Sequence, residues 1–239
     1  MYKRILLKLS GEALKDKDGK QILNVDYLKD VASTIKLLHD HNIQIAVVIG
    51  AGNIWRGKLA NEIGIEHVQA DFMGMLGTVI NAVAVSSSLK NLGVESVVYS
   101  SLPEIAGVTT QYRKESAIKS LEEGKVIFLS GGTGKPFFTT DTAASILALD
   151  RKAEAILMGK NGVNGVYTCD PILNPDAKFI KNISFEEMIK NNLQIMDISA
   201  IKLLKDSDIV IRIFNMSSPS NFVKVSLGED IGTIIKKGE

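Results

Sequence analysis

Short runs of Ile, Val and Leu recur at residues 5–9, 43–49, 96–99, 126–129, 155–158 and 209–214. Between them lie longer segments whose apolar residues follow helical spacing, at 25–38, 68–92, 114–122, 142–153, 185–190 and 200–205. Strand-length runs that alternate with helix-length segments predict an α/β fold, a mostly parallel sheet with helices on its faces. Asp26, Thr140 and Ser184 stand near three of the predicted helix starts as capping residues. No internal repeat or low-complexity tract interrupts the pattern. The longest stretch of turn chemistry, residues 170–178, is the expected lobe boundary.

The places where the strand-like runs end carry the first functional information. Leu9 leads into Ser10-Gly11, Ile49 into Gly50-Ala51-Gly52-Asn53, Leu129 into Ser130-Gly131-Gly132-Thr133-Gly134, and Met158 into Gly159-Lys160-Asn161-Gly162. In an open parallel sheet the carboxyl ends of the strands share one edge, and ligands bind in the crevice outside it. The four loops are therefore expected to converge. Glycine lets backbone N–H groups come close to a phosphate, and a helix N-terminus behind the loop adds a favourable dipole. Spacing excludes two named alternatives. A Walker A loop fails because Leu129 stands where its first glycine belongs and Pro136 follows Lys135; a dinucleotide fingerprint fails because Trp55 and Phe137 occupy the third glycine position.

Composition narrows the classes further. With 239 residues the chain is one large or two-lobed domain, and a net charge of +1 argues against a protein whose main partner is nucleic acid. The single cysteine, Cys169, has no internal partner, and the opening MYKRILLKLS is too short and too charged for a signal-peptide core, so the reducing cytoplasm is expected. The low-charge stretch 72–89 contains Gly74, Gly77, Thr78 and Asn81, and reads as a buried helix rather than a membrane span. No Cys-x-x-Cys or His-Glu-x-x-His occurs, so any metal is expected to arrive on substrate phosphate.

Several side chains have chemistry to offer. Lys8 interrupts an apolar strand and needs an anion if buried, or faces solvent from an edge. Arg56 follows the second glycine loop, and its planar fork suits phosphate. Asp71 begins a long helix, where a carboxylate serves the helix dipole. Thr139, Thr140 and Asp141 precede an alanine-rich helix, as caps or as phosphate ligands. Asp141 and Asp197 are the two acids available to orient a lysine or touch a phosphate-bound Mg²⁺. Tyr167 offers a face for adenine and Asp170 a carboxylate for ribose. Met73 and Met75 read as core, and His39 and His41 as a solvated helix end.

These residues fall into five ordered motifs: Lys8-Leu9-Ser10-Gly11-Glu12-Ala13-Leu14; Val48 to Asn53 with Arg56-Gly57; Ala70-Asp71 with Met73-Gly74-Met75-Leu76; Gly132 to Asp141; and Gly165-Val166-Tyr167-Thr168 with Asp170-Pro171. With them the sequence resembles the bacterial uridylate (UMP) kinases, a branch of the amino acid kinase superfamily. The resemblance implies a three-layer αβα sandwich over residues 1–239, with an acceptor-binding part of about 1–155 and an ATP-binding part of about 156–239. It implies a cytoplasmic homohexamer that converts ATP and UMP to ADP and UDP in pyrimidine nucleotide biosynthesis, with Mg²⁺ held by the nucleotide phosphates and no membrane or nucleic-acid partner. Carried over by position, Lys8, Arg56, Asp141 and Asp197 are catalytic. ATP would meet Lys8, Leu9, Ser10, Gly11, Gly52, Arg56, Asn161, Tyr167 and Asp170. UMP would meet Ala51, Asp71, Thr133, Gly134, Lys135, Pro136, Phe137, Phe138, Thr139 and Thr140.

The chain departs from the family pattern in places. Ala51 replaces a frequent glycine, Lys135 a frequent Asn and Asn164 a frequent Asp, and residues 15–21 lack the glycine- and phenylalanine-containing loop associated with GTP activation. Two other classes compete with a UMP kinase: a superfamily kinase acting on a carboxylate, carbamate or isoprenoid phosphate, and a non-catalytic nucleotide sensor. Retention of Lys8, Arg56, Asp141 and Asp197 together argues against the sensor.

Overall fold

The computed structural model describes residues 1–16, 21–160, 162–193, 195–216, 218 and 220–238. In chain order the strands are β1 (Arg4–Leu9), β2 (Gln44–Ile49), β3 (Ser96–Ser100), β4 (Thr110–Gln111), β5 (Val126–Ser130), β6 (Ala155–Lys160), β7 (Val166–Tyr167), β8 (Phe179–Ile180), β9 (Asn182–Ser184), β10 (Val210–Asn215) and β11 (Thr233–Lys236). The helices are α1 (Val25–Asp40), α2 (Lys58–Ile63), α3 (His67–Lys90), α4 (Lys114–Glu122), α5 (Thr140–Asp150), α6 (Phe185–Lys190), α7 (Ile198–Leu204) and α8 (Ser220–Ser226).

Among the described residues, nine strands form one sheet in the order β4-β3-β5-β2-β1-β6-β10-β11-β9. It is parallel except where β11 runs antiparallel to β10. Helices cover both faces, as the pattern predicted. Strand β1 shows why the sheet is buried on both sides. Leu6 joins the core that includes Ala143, Leu147 and Ile201, whereas Ile5, Leu7 and Leu9 join the core with Ile35, Val85 and Phe222. The period of two sends alternate residues to opposite layers, and both layers are apolar.

The six long strands and six helices lie where the periodicity placed them, within a residue or two at most ends. Two caps differ. Asn24, not Asp26, caps α1 by accepting from Asp26 N and Tyr27 N, and Thr139, not Thr140, caps α5 by accepting from Thr142 N. Ser184 caps α6 as expected, in a capping box with Glu187. Residues 170–178 lie within the connection of the β7–β8 hairpin, while the large sheet runs without a break across β1 and β6. Helix α3 is long and apolar enough to cross a membrane, but half of its apolar window is buried inside the protein.

Helix α3 lies close enough to the loop after β2 that one residue on it has no room for a side chain. A Cβ on Gly77 would stand 2.8 Å from the Cβ of Ala51. The methyl of Ala51 thus fills the space that Gly77 leaves. Gly77→Ala is expected to lower stability by about 1–3 kcal/mol through overpacking. Adding Ala51→Gly should restore most of that loss, because the one methyl then sits on the other side. Denaturant melts of the two variants decide it; equal destabilisation in both would mean that the contact does not set the packing.

Candidate functional site

The chain runs from β1 to β2 on one side and returns to β6 on the other, so β1 and β6 flank a switch in strand order, where a crevice opens. The four strands that end in glycine loops are adjacent in the sheet, in the order β5-β2-β1-β6, and their loops share one edge. A Cβ on Gly11 would collide with the carbonyl of Gly50 and with Asn53 Oδ1, so two of these loops pack backbone to backbone. Asn53 and Asn81 exchange side-chain amide hydrogen bonds at 3.0 and 2.8 Å, and Asn81 Nδ2 also donates to Gly50 O at 2.8 Å. Thr78, one turn earlier on α3, accepts from Gly131 N at 2.8 Å. Helix α3 therefore holds both the second and the third glycine loop.

Lys8 lies on the same face of β1 as Leu6, the face that α5 covers. There its Nζ meets Asp141 Oδ1 at 2.6 Å, with the two side chains 16% and 17% exposed. Asp141 Oδ2 accepts from Asp197 N at 3.2 Å. Asp197 caps α7 through Ser199 N and accepts from Thr139 Oγ1 at 3.0 Å. The four residues form one chain of contacts, in which Asp197 stands behind Asp141 rather than beside Lys8.

A second lysine completes the cluster, and sequence reasoning passed over it. Lys160 ends β6 two residues beyond Met158, the residue in register with Lys8, and so points to the same face. Its Nζ donates to Ile195 O at 3.3 Å. Burial holds its pKa below the usual lysine range, the neighbouring Lys8 ammonium lowers it further, and Asp141 opposes both. The signal was present: a lysine at the end of a buried strand, before a glycine, as for Lys8. A groove of about 400 Å³ lined by Asp141, Ile195, Met196 and Asp197 opens beside the cluster.

Arg56 extends from the loop after β2, but its guanidinium is engaged: Nη2 lies 2.6 Å from Glu12 Oε1. Glu12 also pairs with Lys15 at 2.5 Å. Burial would raise the Glu12 pKa, but Lys15 and Arg56 together hold it below the ordinary carboxylate value. Ser10 and Leu9 flank the turn that brings Glu12 to this point.

Beyond Gly52 lies a cavity of about 330 Å³. Five of the residues expected around the acceptor line it, Ala51, Asp71, Phe138, Thr139 and Thr140, together with Gly52, which was expected on the ATP side. Asp71 is not free, because its Oδ2 accepts from Phe137 N at 2.6 Å and lies 3.3 Å from His67 Nδ1. Phe137 adopts a left-handed backbone (φ +69°) and stacks on the His67 ring at 5.1 Å. Thr133 Oγ1 bridges the backbone of Lys135, whose residue is exposed, within the loop that also contains Gly134 and Pro136. A larger cavity, about 660 Å³, lies against α1, with Leu7, Leu9, Val31 and Ile35 but also Glu12, Asp16 and Asp30 in its lining. Of the predicted site residues only Leu9 borders it, so size does not mark the site.

The residues expected around adenosine are less convergent. Tyr167 packs edge-on against Phe179 at 5.5 Å, and Asp170 Oδ1 accepts from Ile172 N at 2.8 Å within its own turn. Asn164 accepts from Asn215 Nδ2 at 3.3 Å. Asn161 lies outside the described residues, as does much of the segment 15–21.

Residues 3–215 match the model of the amino acid kinase family. The chain belongs to that family. A uridylate kinase of Mycoplasma capricolum subsp. capricolum is 47% identical over 98% of each chain. A uridylate kinase of Limosilactobacillus reuteri is 43% identical over 98% of this chain and 97% of its own. The crystal structure of UMP kinase from Bacillus anthracis superposes with a TM-score of 0.96 at 37% identity, over 100% of this chain and 97% of that one. Within the amino acid kinase family, the chain stands among the uridylate kinases.

The charge cluster of this family member yields a titration test. In Asp141→Asn, Lys160 keeps its burial and its Lys8 neighbour but loses the anion that opposes both. Its pKa is then expected to fall, so Lys160 should deprotonate at lower pH than in the unsubstituted protein. Lysine side-chain NMR through a pH titration measures this directly. An unchanged titration point would separate Asp141 from Lys160 electrostatically.

Proposed function

We propose that the protein transfers the terminal phosphoryl group of MgATP to the phosphate of UMP, giving ADP and UDP, and so supplies pyrimidine nucleotide biosynthesis. The observation that carries this reading is the Lys8–Asp141 pair with Lys160 beside it, at the sheet's switch point and next to the acceptor cavity. The residues suit a nucleotide-borne metal: the glycine loops and two lysines favour phosphate oxygens, while the oxygens of Asp141 and Asp197 already engage Lys8, Thr139 and backbone N–H groups. Magnesium bound to the phosphates supplies neutralisation of their charge.

An oxygen of the UMP phosphate attacks the γ-phosphorus, and the bond to the β–γ bridging oxygen breaks toward ADP. A phosphate anion is its own nucleophile, so the protein's part is placement and charge stabilisation. Lys8 and Lys160 stabilise the charge on the transferring group and the departing phosphate. Asp141 holds Lys8 at the strand end, and Asp197 holds Asp141. Arg56 and Thr140 take the UMP phosphate, Asp71 its ribose and residues 133–138 its uracil. Tyr167 and Asp170 belong to the donor side. On this reading residues up to about 155 form the acceptor part and those beyond form the ATP part.

A coupled ADP-release assay with MgATP and each nucleoside monophosphate tests the proposal. UMP should exceed CMP in kcat/KM by orders of magnitude, because cytosine reverses a donor and an acceptor and leaves buried groups unpaired. Comparable rates for CMP would remove the assignment. Lys8→Met should lower kcat by about 10²–10³ while melting and UMP affinity persist.

The proposed assembly is a cytoplasmic homohexamer. Its support is the outer face of α3, where Phe72, Leu76, Ile80 and Met73, the last expected in the core, are 37–48% exposed on one helix side. Light scattering should give the mass of six chains; a monomer at micromolar concentration would refute it.

A further inference from the structure

The acceptor cavity has one carboxylate in its lining, Asp71, and its two oxygens are used unequally. Oδ2 accepts from Phe137 N at 2.6 Å and lies 3.3 Å from His67 Nδ1. Oδ1 accepts no hydrogen bond among the described residues. A carboxylate tied through one oxygen offers the other as an acceptor, and a sugar hydroxyl is a donor that suits it.

His67 and Phe137 also touch each other. Their rings stack at 5.1 Å with an interplanar angle of 16°, so the three residues close a triangle between the start of α3 and the third glycine loop. Phe137 has a left-handed backbone (φ +69°), which a residue with a Cβ seldom keeps without support. Its N–H on Asp71 and its ring on His67 give that support, and Phe138, next in the chain, lines the cavity. His67 and Asp71 stand four residues apart, one turn of α3, on the same side of the helix. The carboxylate selects a form of His67 with hydrogen on Nδ1, because a lone pair there would face an anion. His67 is not in the cavity lining, so anything it does for a ligand it does through its neighbours.

We infer that His67 is a positioning residue for the acceptor: with Phe137 stacked on its ring, it pins Oδ2 of Asp71 and leaves Oδ1 for a ribose hydroxyl of the bound nucleotide. The inference rests on reading this cavity as the UMP site and Asp71 as its ribose contact. A carboxylate held by one N–H alone can rock about its Cβ–Cγ bond. A second contact on the same oxygen narrows that range. The His67 side chain is 67% exposed, so the size of the effect is that of a surface contact.

His67→Phe offers Phe137 a ring of similar size and deletes Nδ1. Kd and KM for UMP should rise about two- to fivefold, the range of an exposed ion-pair contact, while kcat at saturating UMP stays within about twofold. The decisive readout is discrimination at the ribose. Calorimetry compares UMP with its 2′-deoxy and 3′-deoxy analogues, and Asp71→Ala identifies the hydroxyl that Asp71 meets. His67→Phe should shrink the preference for UMP over that analogue by the same factor, and should change nothing further when added to Asp71→Ala. His67→Asn, which keeps a nitrogen at the Nδ1 position without the ring, should retain more of the preference than His67→Phe does. Melting curves check that each variant is folded. An unchanged preference in folded His67→Phe, an equal loss in the Asp71→Ala background, or a His67→Asn protein no better than His67→Phe would overturn the role of His67 and leave the acceptor reading intact. Failure of the unsubstituted protein to bind UMP would overturn that reading, and equal binding of UMP and both analogues would overturn the ribose contact; the inference falls with either.

Discussion

Two ammonium groups and one carboxylate share the end of the β1–β6 crevice, and that imbalance governs the site. Lys8 and Lys160 repel each other in a place where burial penalises every charge, and Asp141 is the carboxylate that acts on both, with Asp197 behind it. Left to themselves, such groups would move apart or lose a proton. They are held because each ends or follows a rigid element: Lys8 on β1, Lys160 on β6, Asp141 in the first turn of α5. The sheet register sets the lysines on one face, two residues apart along adjacent strands, and the α5 start brings the carboxylate to them. On the proposed reading, the result is a local excess of positive charge that a phosphate neutralises, positioned before any phosphate arrives.

Much of this was legible in the chain. Glycines that end several buried runs point to one sheet edge whatever the strand order, because parallel strands share their carboxyl side. The order found, with those strands adjacent, makes the convergence tighter than spacing alone implied. Lys8 was legible because a lysine in a buried strand needs a reason. Lys160 supports the same inference and escaped it because Gly159 before it and Asn161-Gly162 after it read as loop rather than strand. The caps of α1 and α5 were misplaced by one or two positions where several capping side chains stand in a row, and only backbone angles decide which residue is the first outside the helix. Strands β4, β7 and β8 have two residues each, too few to show a period.

Other features had no signature to read. The Arg56–Glu12 pair joins two loops whose separation carries no periodicity, and it leaves the guanidinium already occupied by an anion. On the proposed reading, UMP enters by exchanging one anion for another on that guanidinium, rather than by meeting a bare charge. The closed pairing of Asp71 with the Phe137 N–H has the same character. Both are consequences of long-range packing that composition and spacing do not encode.

The loops that face the crevice have no local existence. Asn53 and Asn81 bind each other across two elements, Gly131 hangs on Thr78, and Lys8 meets a carboxylate presented by a helix from the middle of the chain. An unfolded or half-folded chain therefore contains no fragment of the cradle, and a nucleotide recognises only the finished molecule. Ligand that binds the native state alone shifts the folding equilibrium by mass action, by about 2.7 kcal/mol at a free concentration one hundred times its dissociation constant. On the proposed reading, bound nucleotide thus becomes part of what keeps the chain folded, and its removal withdraws that contribution.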